Sequence, residues 1–389
     1  MKSIRITKQS DSRHDVEQSQ HKTETQLPRE NWLGRRGFLQ ALAAGAGSML
    51  MAGCGGGSSS SPANTAAVQN KARKPKSSAT PAATPAASNG SMTWGVNGHW
   101  SEGGSYNTAL STQVATLKDL GFTHYRQGIF ELAHAQTIAN NIPNMSGIAV
   151  LPTIVGNSPL QYADETAAYS DNFTLGAGVA KLLAGKVPYY ELGGEFDALC
   201  NVTYDGSTID QYDQTAFILC RGALRGLIDG IKTVDAKTPI MCAATAGWLH
   251  TAFSIALWFG QQPDGTSGHP TVRWDVTMYH WYSDMGDITN ANGTTNVLAT
   301  LRDTFGKPIW ITEFGSRPDT EANVQAFITN DTVGMPMFSK NLAEYNIIGV
   351  SWFELYDSPS DPGYGLLSNP SSAKPRYNTM KTYIASQNA

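Results

Sequence analysis

From Thr93 onward, short apolar runs alternate with longer stretches whose apolar residues recur at three- and four-residue spacing. Eight runs read as strands: Thr93–Gly98, Thr123–Gly128, Gly147–Val155, Val187–Leu192, Thr238–Ala243, Val272–Tyr279, Pro308–Glu313 and Ile347–Phe353. Between them the helical period marks Leu110–Leu120, Gln214–Val234, Thr294–Phe305 and Glu321–Tyr345, among others. Eight strands with intervening helices predict an α/β chain, with residues 93–389 forming a single (β/α)8 barrel rather than an open doubly wound sheet. No G-x-G-x-x-G turn follows the first strand, which argues against a dinucleotide site.

The first 92 residues follow neither pattern. A polar stretch leads to Gly34-Arg35-Arg36-Gly37-Phe38-Leu39, and an apolar run too short for a permanent membrane span ends at Met51. The arginine pair resembles a twin-arginine export signal, and Leu50-Met51-Ala52-Gly53-Cys54 resembles a lipobox, in which Cys54 would carry the lipid. Residues 1–53 are thus expected to be a signal peptide. Residues 54–92, rich in Gly, Ser, Ala, Pro and Thr, cannot bury enough apolar surface to offset ordering and are expected to be a lipid-anchored flexible linker. The expectation is an exported bacterial protein on the periplasmic side, anchored to a membrane, with Gly55 favouring the outer one.

Composition narrows the choices further. Of 389 residues 41% are hydrophobic and 15% charged, which fits neither a disordered chain nor a coiled coil. The net charge is -4, and without the leader the remainder carries 20 basic and 27 acidic residues, so nucleic acid is not an expected partner. A monomer is expected. The 8 His and 4 Cys contain no H-x-H, H-E-x-x-H or zinc spacing, and no G-x-S-x-G elbow appears, so neither a metal, a cofactor nor a serine nucleophile is expected. Cys200, Cys220 and Cys242 could supply one disulfide, with Cys200–Cys220 favoured, or stay as three buried thiols.

Barrel chemistry sits where strands end and βα loops begin. The polar residues there are Asn97, His99, Arg126, Glu191, Glu195, His280, Tyr282, Glu313, Glu354 and Asp357, with Trp352 among them. A carboxylate ending an apolar strand is costly to bury without a partner or a task. Strands four and seven lie across an eight-stranded barrel, so Glu195 and Glu313 can face each other over its mouth. Two carboxyl groups about 5 Å apart are what a retaining glycosidase needs.

The run Glu191-Leu192-Gly193-Gly194-Glu195-Phe196-Asp197 resembles the E-L-G-N-E-P-D signature of the large clan (clan A) of (β/α)8 retaining glycoside hydrolases. Ile311-Thr312-Glu313-Phe314-Gly315 resembles that clan's strand-seven motif, and Met278-Tyr279-His280-Trp281-Tyr282 its H-x-Y element. The stretch from His280 to Ile288 is most similar to family 39 and related exopolysaccharide glycosidases, with family 5 also close. The resemblance implies Glu195 as acid/base and Glu313 as nucleophile. It implies Arg126 and Tyr282 as the groups holding Glu313 ionised, and Trp352 as a sugar platform. Trp281 and Trp248 are further stacking candidates. Glu191 reads as structural, and Glu354 and Asp357 as cleft rim or ordinary loop carboxylates.

Gly194 and Phe196 depart from the signature, which places Asn and Pro there. The Asn donates to the sugar 2-hydroxyl, so either Asn97, His99 or His280 takes over, the sugar is modified at that position, or the site is degenerate. The function expected is hydrolysis of a cell-envelope or extracellular polysaccharide. Loops Leu199–Gln211 and Phe259–Trp274, read as cleft walls, suggest endo action. The alternatives are a glycan-binding lipoprotein without turnover and a scaffold for exopolysaccharide assembly.

Overall fold

A computed structural model describes residues 92–200, 202–243, 245–317 and 320–387. Cys54, the expected leader and all but the last residue of the expected linker lie outside the described residues. Eight parallel strands close into a barrel in sequence order, β1 pairing with both β2 and β8. They are β1 Thr93–Gly98, β2 His124–Ile129, β3 Ala149–Ile154, β4 Tyr190–Leu192, β5 Ile240–Cys242, β6 Val276–Tyr282, β7 Ile309–Gly315 and β8 Ile347–Trp352.

The outer helices are α1 Leu110–Leu120, α2 Leu132–Asn141, α3 Glu165–Leu183, α4 Gln214–Val234, α5 Thr251–Phe259, α6 Val297–Phe305, α7 Glu321–Thr329, α8 Met335–Tyr345 and α9 Pro375–Gln387. Polar caps fix several starts: Asp164, Asp213, Asn296 and Thr320 each accept a backbone N–H of the first turn. The single helix expected over Glu321–Tyr345 is two helices. Pro336 sits in the first turn of α8, where no N–H is required, and a Cβ on Gly334 would lie 1.9 Å from the Phe327 carbonyl.

α3 and α4 pack closely because Gly222, Gly226 and Gly230 repeat every fourth residue along α4. A Cβ on any of them would come within 2.2–2.5 Å of a backbone oxygen of α3. This glycine stripe lets the two backbones touch, where side chains would hold them 8–10 Å apart.

Two expectations fail here. Cys200, Cys220 and Cys242 are buried free thiols, so the Cys200–Cys220 bond is not formed; both of those sulfurs face the Phe196 carbonyl. The segment Phe259–Trp274 connects α5 to β6 at the foot of the barrel, where Asp275 N–H bonds the Ile240 carbonyl at the start of β5. It cannot wall a cleft at the mouth. Leu199–Gln211 follows β4 and does belong to the mouth.

Candidate active site

Strand alternation decides which side chains reach the barrel interior. In β6, His280 and Tyr282 point inward and Trp281 outward, its Nε1 donating to the Gly286 carbonyl. In β7 the register against β6 slips between Ile311 and Glu313, a bulge at Thr312 that sets Glu313 opposite His280. A bulge beside a site re-aims a side chain without ending the strand.

Glu313 is held from two sides. Arg126 Nη1 donates to its Oε1 at 3.0 Å, and the Tyr282 hydroxyl donates to its Oε2 at 2.8 Å. Arg126 also forks onto Glu191, with Nε and Nη2 at 2.7 and 2.9 Å, and the Thr153 hydroxyl completes that carboxylate at 2.8 Å. Burial opposes the Arg126 charge, but Glu191 and Glu313 outweigh it and raise the Arg126 pKa. The guanidinium is therefore a fixed positive charge beneath Glu313. Glu191 is fully buried and bonded to barrel polar groups.

Glu195 follows β4 with its backbone in the left-handed region (φ 49°). Its Oε1 lies 2.9 Å from His280 Nδ1, and the same nitrogen is 3.4 Å from Glu313 Oε2. One ligating atom from each of Glu195, His280 and Glu313 falls within 4.8 Å of the others. Among the described residues this trio is also the one cluster spaced to hold a cation. Two residues beyond Glu195, the buried Asp197 accepts the Ala246 N–H at 2.8 Å and pairs with His250 Nδ1. This ties the loop after β4 to the loop after β5. Burial raises the Asp197 pKa, opposed by His250.

The three proposed substitutes for the missing Asn are all engaged. With its amide oriented by its neighbours, Asn97 donates to the Thr312 carbonyl (3.1 Å) and accepts from Arg126 Nη1 (3.0 Å). His99 lies between Glu102 and Glu354, 3.0 Å from each. Burial would lower its pKa, yet the two carboxylates raise it to about 10, so the ring is a cation at neutral pH. His280 is taken up by the two glutamates. Glu354 is buried and accepts the Ser358 N–H, while Asp357 accepts Gly363 and Gly365 N–H and Lys374 Nζ, a loop brace rather than a cleft rim.

A cavity of about 130 Å³ opens beside the two glutamates. Its walls include His99, Arg126, Phe130, Val155, Gly194 and Phe353. Trp352 is not among them: it points outward from β8 and packs edge-on against Phe314. The next residue, Phe353, faces the cavity. Trp281 is fully buried behind β6, and Trp248 stacks on it with centroids 6.2 Å apart. The platform expected of Trp352 and Trp281 is thus corrected by one step of alternation. Phe353, Asp197 and His250 were not singled out from sequence.

The family model described as glycosyl hydrolase catalytic core matches residues 237–367. That span holds His280, Tyr282, Glu313 and Phe353 and stops short of Arg126 and Glu195. The match supports a glycosidase. No curated protein matches the chain. Among solved structures, the fold is similar to virulence factor SghA from Agrobacterium tumefaciens (11% identity, TM-score 0.54, covering 77% of this chain and 98% of that one). It is also similar to a family 1 β-glucosidase from Thermotoga maritima (12%, 0.54, 77% and 98%). A third is GH5_18 from Streptomyces cattleya in complex with GlcNAc (15%, 0.50, 77% and 81%). At these identities the likeness establishes the shared fold.

Proposed function

We propose that the barrel is a retaining glycoside hydrolase acting on a polysaccharide or oligosaccharide outside the cytoplasm. The observation that carries this reading is the placement of a Glu195 and a Glu313 carboxylate oxygen within 4.8 Å of each other. Retaining enzymes bring their carboxyl groups to about 5–5.5 Å, whereas inverting ones need roughly 6.5–9.5 Å to admit a water.

Glu313 is the nucleophile. Arg126 and Tyr282 donate to its two oxygens and so favour the ionised form. Glu195 protonates the leaving oxygen while Glu313 attacks the anomeric carbon; water deprotonated by Glu195 then releases the sugar. His280 Nδ1 suits this change of role. An imidazole protonated at Nδ1 donates to the Glu195 carboxylate, and one protonated at Nε2 accepts from the Glu195 acid. Export with a lipid on Cys54 is part of the proposal and rests on the leader pattern alone. A glycan-binding protein without turnover remains the second reading, favoured by Gly194, which leaves no side chain beside Glu195.

The test is mass spectrometry of the intact protein after exposure to 2-fluoro-sugar inactivators of several configurations. A stable adduct on Glu313, absent in Glu313→Gln, is expected. Glu195→Gln should lower kcat by about 10²–10⁴-fold. A product released with inverted anomeric configuration, or an adduct on another residue, would sink the assignment.

A further inference from the structure

The loops after β4 and β5 concentrate a second anomaly. Glu195, Tyr204 and Trp248 all hold left-handed backbone, at φ 49°, 54° and 52°. For side chains of this size that conformation is unfavourable and persists only where the surroundings impose it. The other non-glycine residues near φ 50°, Ser146, Asn292 and Asn346, are small polar residues that tolerate turns.

Tyr204 stands 92% exposed on a braced loop. Thr203 N–H donates to the Gln211 carbonyl at 2.9 Å, and the Tyr212 hydroxyl donates to the Gly206 carbonyl at 2.7 Å. Gly206 lies so close to His250 that a Cβ there would sit 2.2 Å from the ring. Trp248 precedes His250 by two residues, stacks on Trp281, and accepts the Tyr279 hydroxyl on its carbonyl at 2.8 Å. His250 pairs with Asp197, beside Glu195. The two aromatic residues thus flank one anchor, which also holds the acid/base loop.

We propose that Tyr204 and Trp248 form a stacking platform for sugar residues of a polymeric substrate on the leaving-group side of the scissile bond. The inference rests on Glu195 being the acid/base. A general acid protonates the leaving oxygen, so the departing sugars lie on its side of the mouth, over the loops after β4 and β5. The cavity, lined mainly from β1, β2, β3 and β8, takes the sugar on the other side. Tyr204 offers an exposed ring and Trp248 a partly buried one held by Trp281, and aromatic faces of this kind suit the C–H-rich faces of pyranose rings. The anchor these loops share with the Glu195 loop, through His250 and Asp197, makes the departing part of a glycan chain the occupant.

Affinity electrophoresis in gels carrying laminarin, glycol chitin or alginate tests this, using Glu313→Gln so that binding is read apart from turnover. Retardation by one polymer is expected. Tyr204→Ala should weaken it by roughly 5–10-fold, and Tyr204→Phe, which keeps the ring, should retain it. In the active protein, Tyr204→Ala should lower kcat/KM on that polymer by 5–10-fold more than on a nitrophenyl glycoside, whose leaving group carries no sugar. Phe259→Ala, an exposed aromatic at the end of α5, is the control and should change neither. Equal losses on both substrates, unaltered binding in Tyr204→Ala, or no retardation by any polymer would overturn the platform. Binding that depends on Tyr204 without any turnover would uphold the platform and remove the hydrolase reading.

Discussion

A single guanidinium organises the floor of the site. Arg126 is shared between Glu191, which is fully buried, and Glu313, which faces the cavity. Removing it leaves a buried carboxylate with only a threonine hydroxyl for company. Arg126→Met should therefore cost about 3–5 kcal/mol of stability, and a second change, Glu191→Gln, should restore part of it. Urea denaturation of the single and double variants reads both numbers. A single variant within 1 kcal/mol of the parent would show that Glu191 does not need the cation. The glutamates were legible because a carboxylate ending an apolar strand is too expensive to be idle, whereas Arg126 was picked out by the resemblance to the clan. Trp352 was misplaced for an equally physical reason. Two aromatic residues stand side by side at the end of β8, and alternation sends one inward and the next outward. Sequence alone does not set that phase. The Asp197–His250 pair was invisible for another reason, since the partners are 53 residues apart and follow no local pattern.

At the level of elements, helix limits were readable where caps mark them. Leu110–Leu120, stopped by Gly121 in the left-handed region, and Gln214–Val234, started by Asp213, match the pattern end to end. The break between α7 and α8 was missed because apolar spacing continues across it, although Pro336 and Gly334 marked the place. The glycine stripe on α4 sets a sharper expectation. In Gly226→Ala the new methyl would meet the Tyr169 carbonyl of α3 at 2.2 Å, with backbone rather than a pliable side chain in the way. Overpacking of this kind costs about 1–3 kcal/mol, a loss of several degrees in Tm by circular dichroism. An unchanged Tm would mean that the helices can part without penalty.

For the whole molecule, pH acts through His99. Its folded pKa of about 10 exceeds the ordinary 6.5, with Glu102 and Glu354 as the facing carboxylates and Tyr106 packed edge-on. A group whose pKa rises on folding stabilises fully below the unfolded value, and that contribution fades as pH climbs through the folded one. The Tm advantage of the parent over His99→Gln should hence be greatest below pH 6.5 and shrink by a few degrees on approaching pH 10.5. A gap of constant size would mean that the ring is not charged in the fold.

The closed ring also fixes a direction. β1 begins at the foot, where Thr93 Oγ1 donates to the Ile348 carbonyl beside the start of β8, and it runs towards His99 at the mouth. The strand-end carboxylates sit at the opposite pole from Thr93, the point where the preceding chain joins. The chain that precedes Thr93 therefore joins the barrel at the pole opposite the cleft. The mouth is thus open to a long polymer on the side away from that junction.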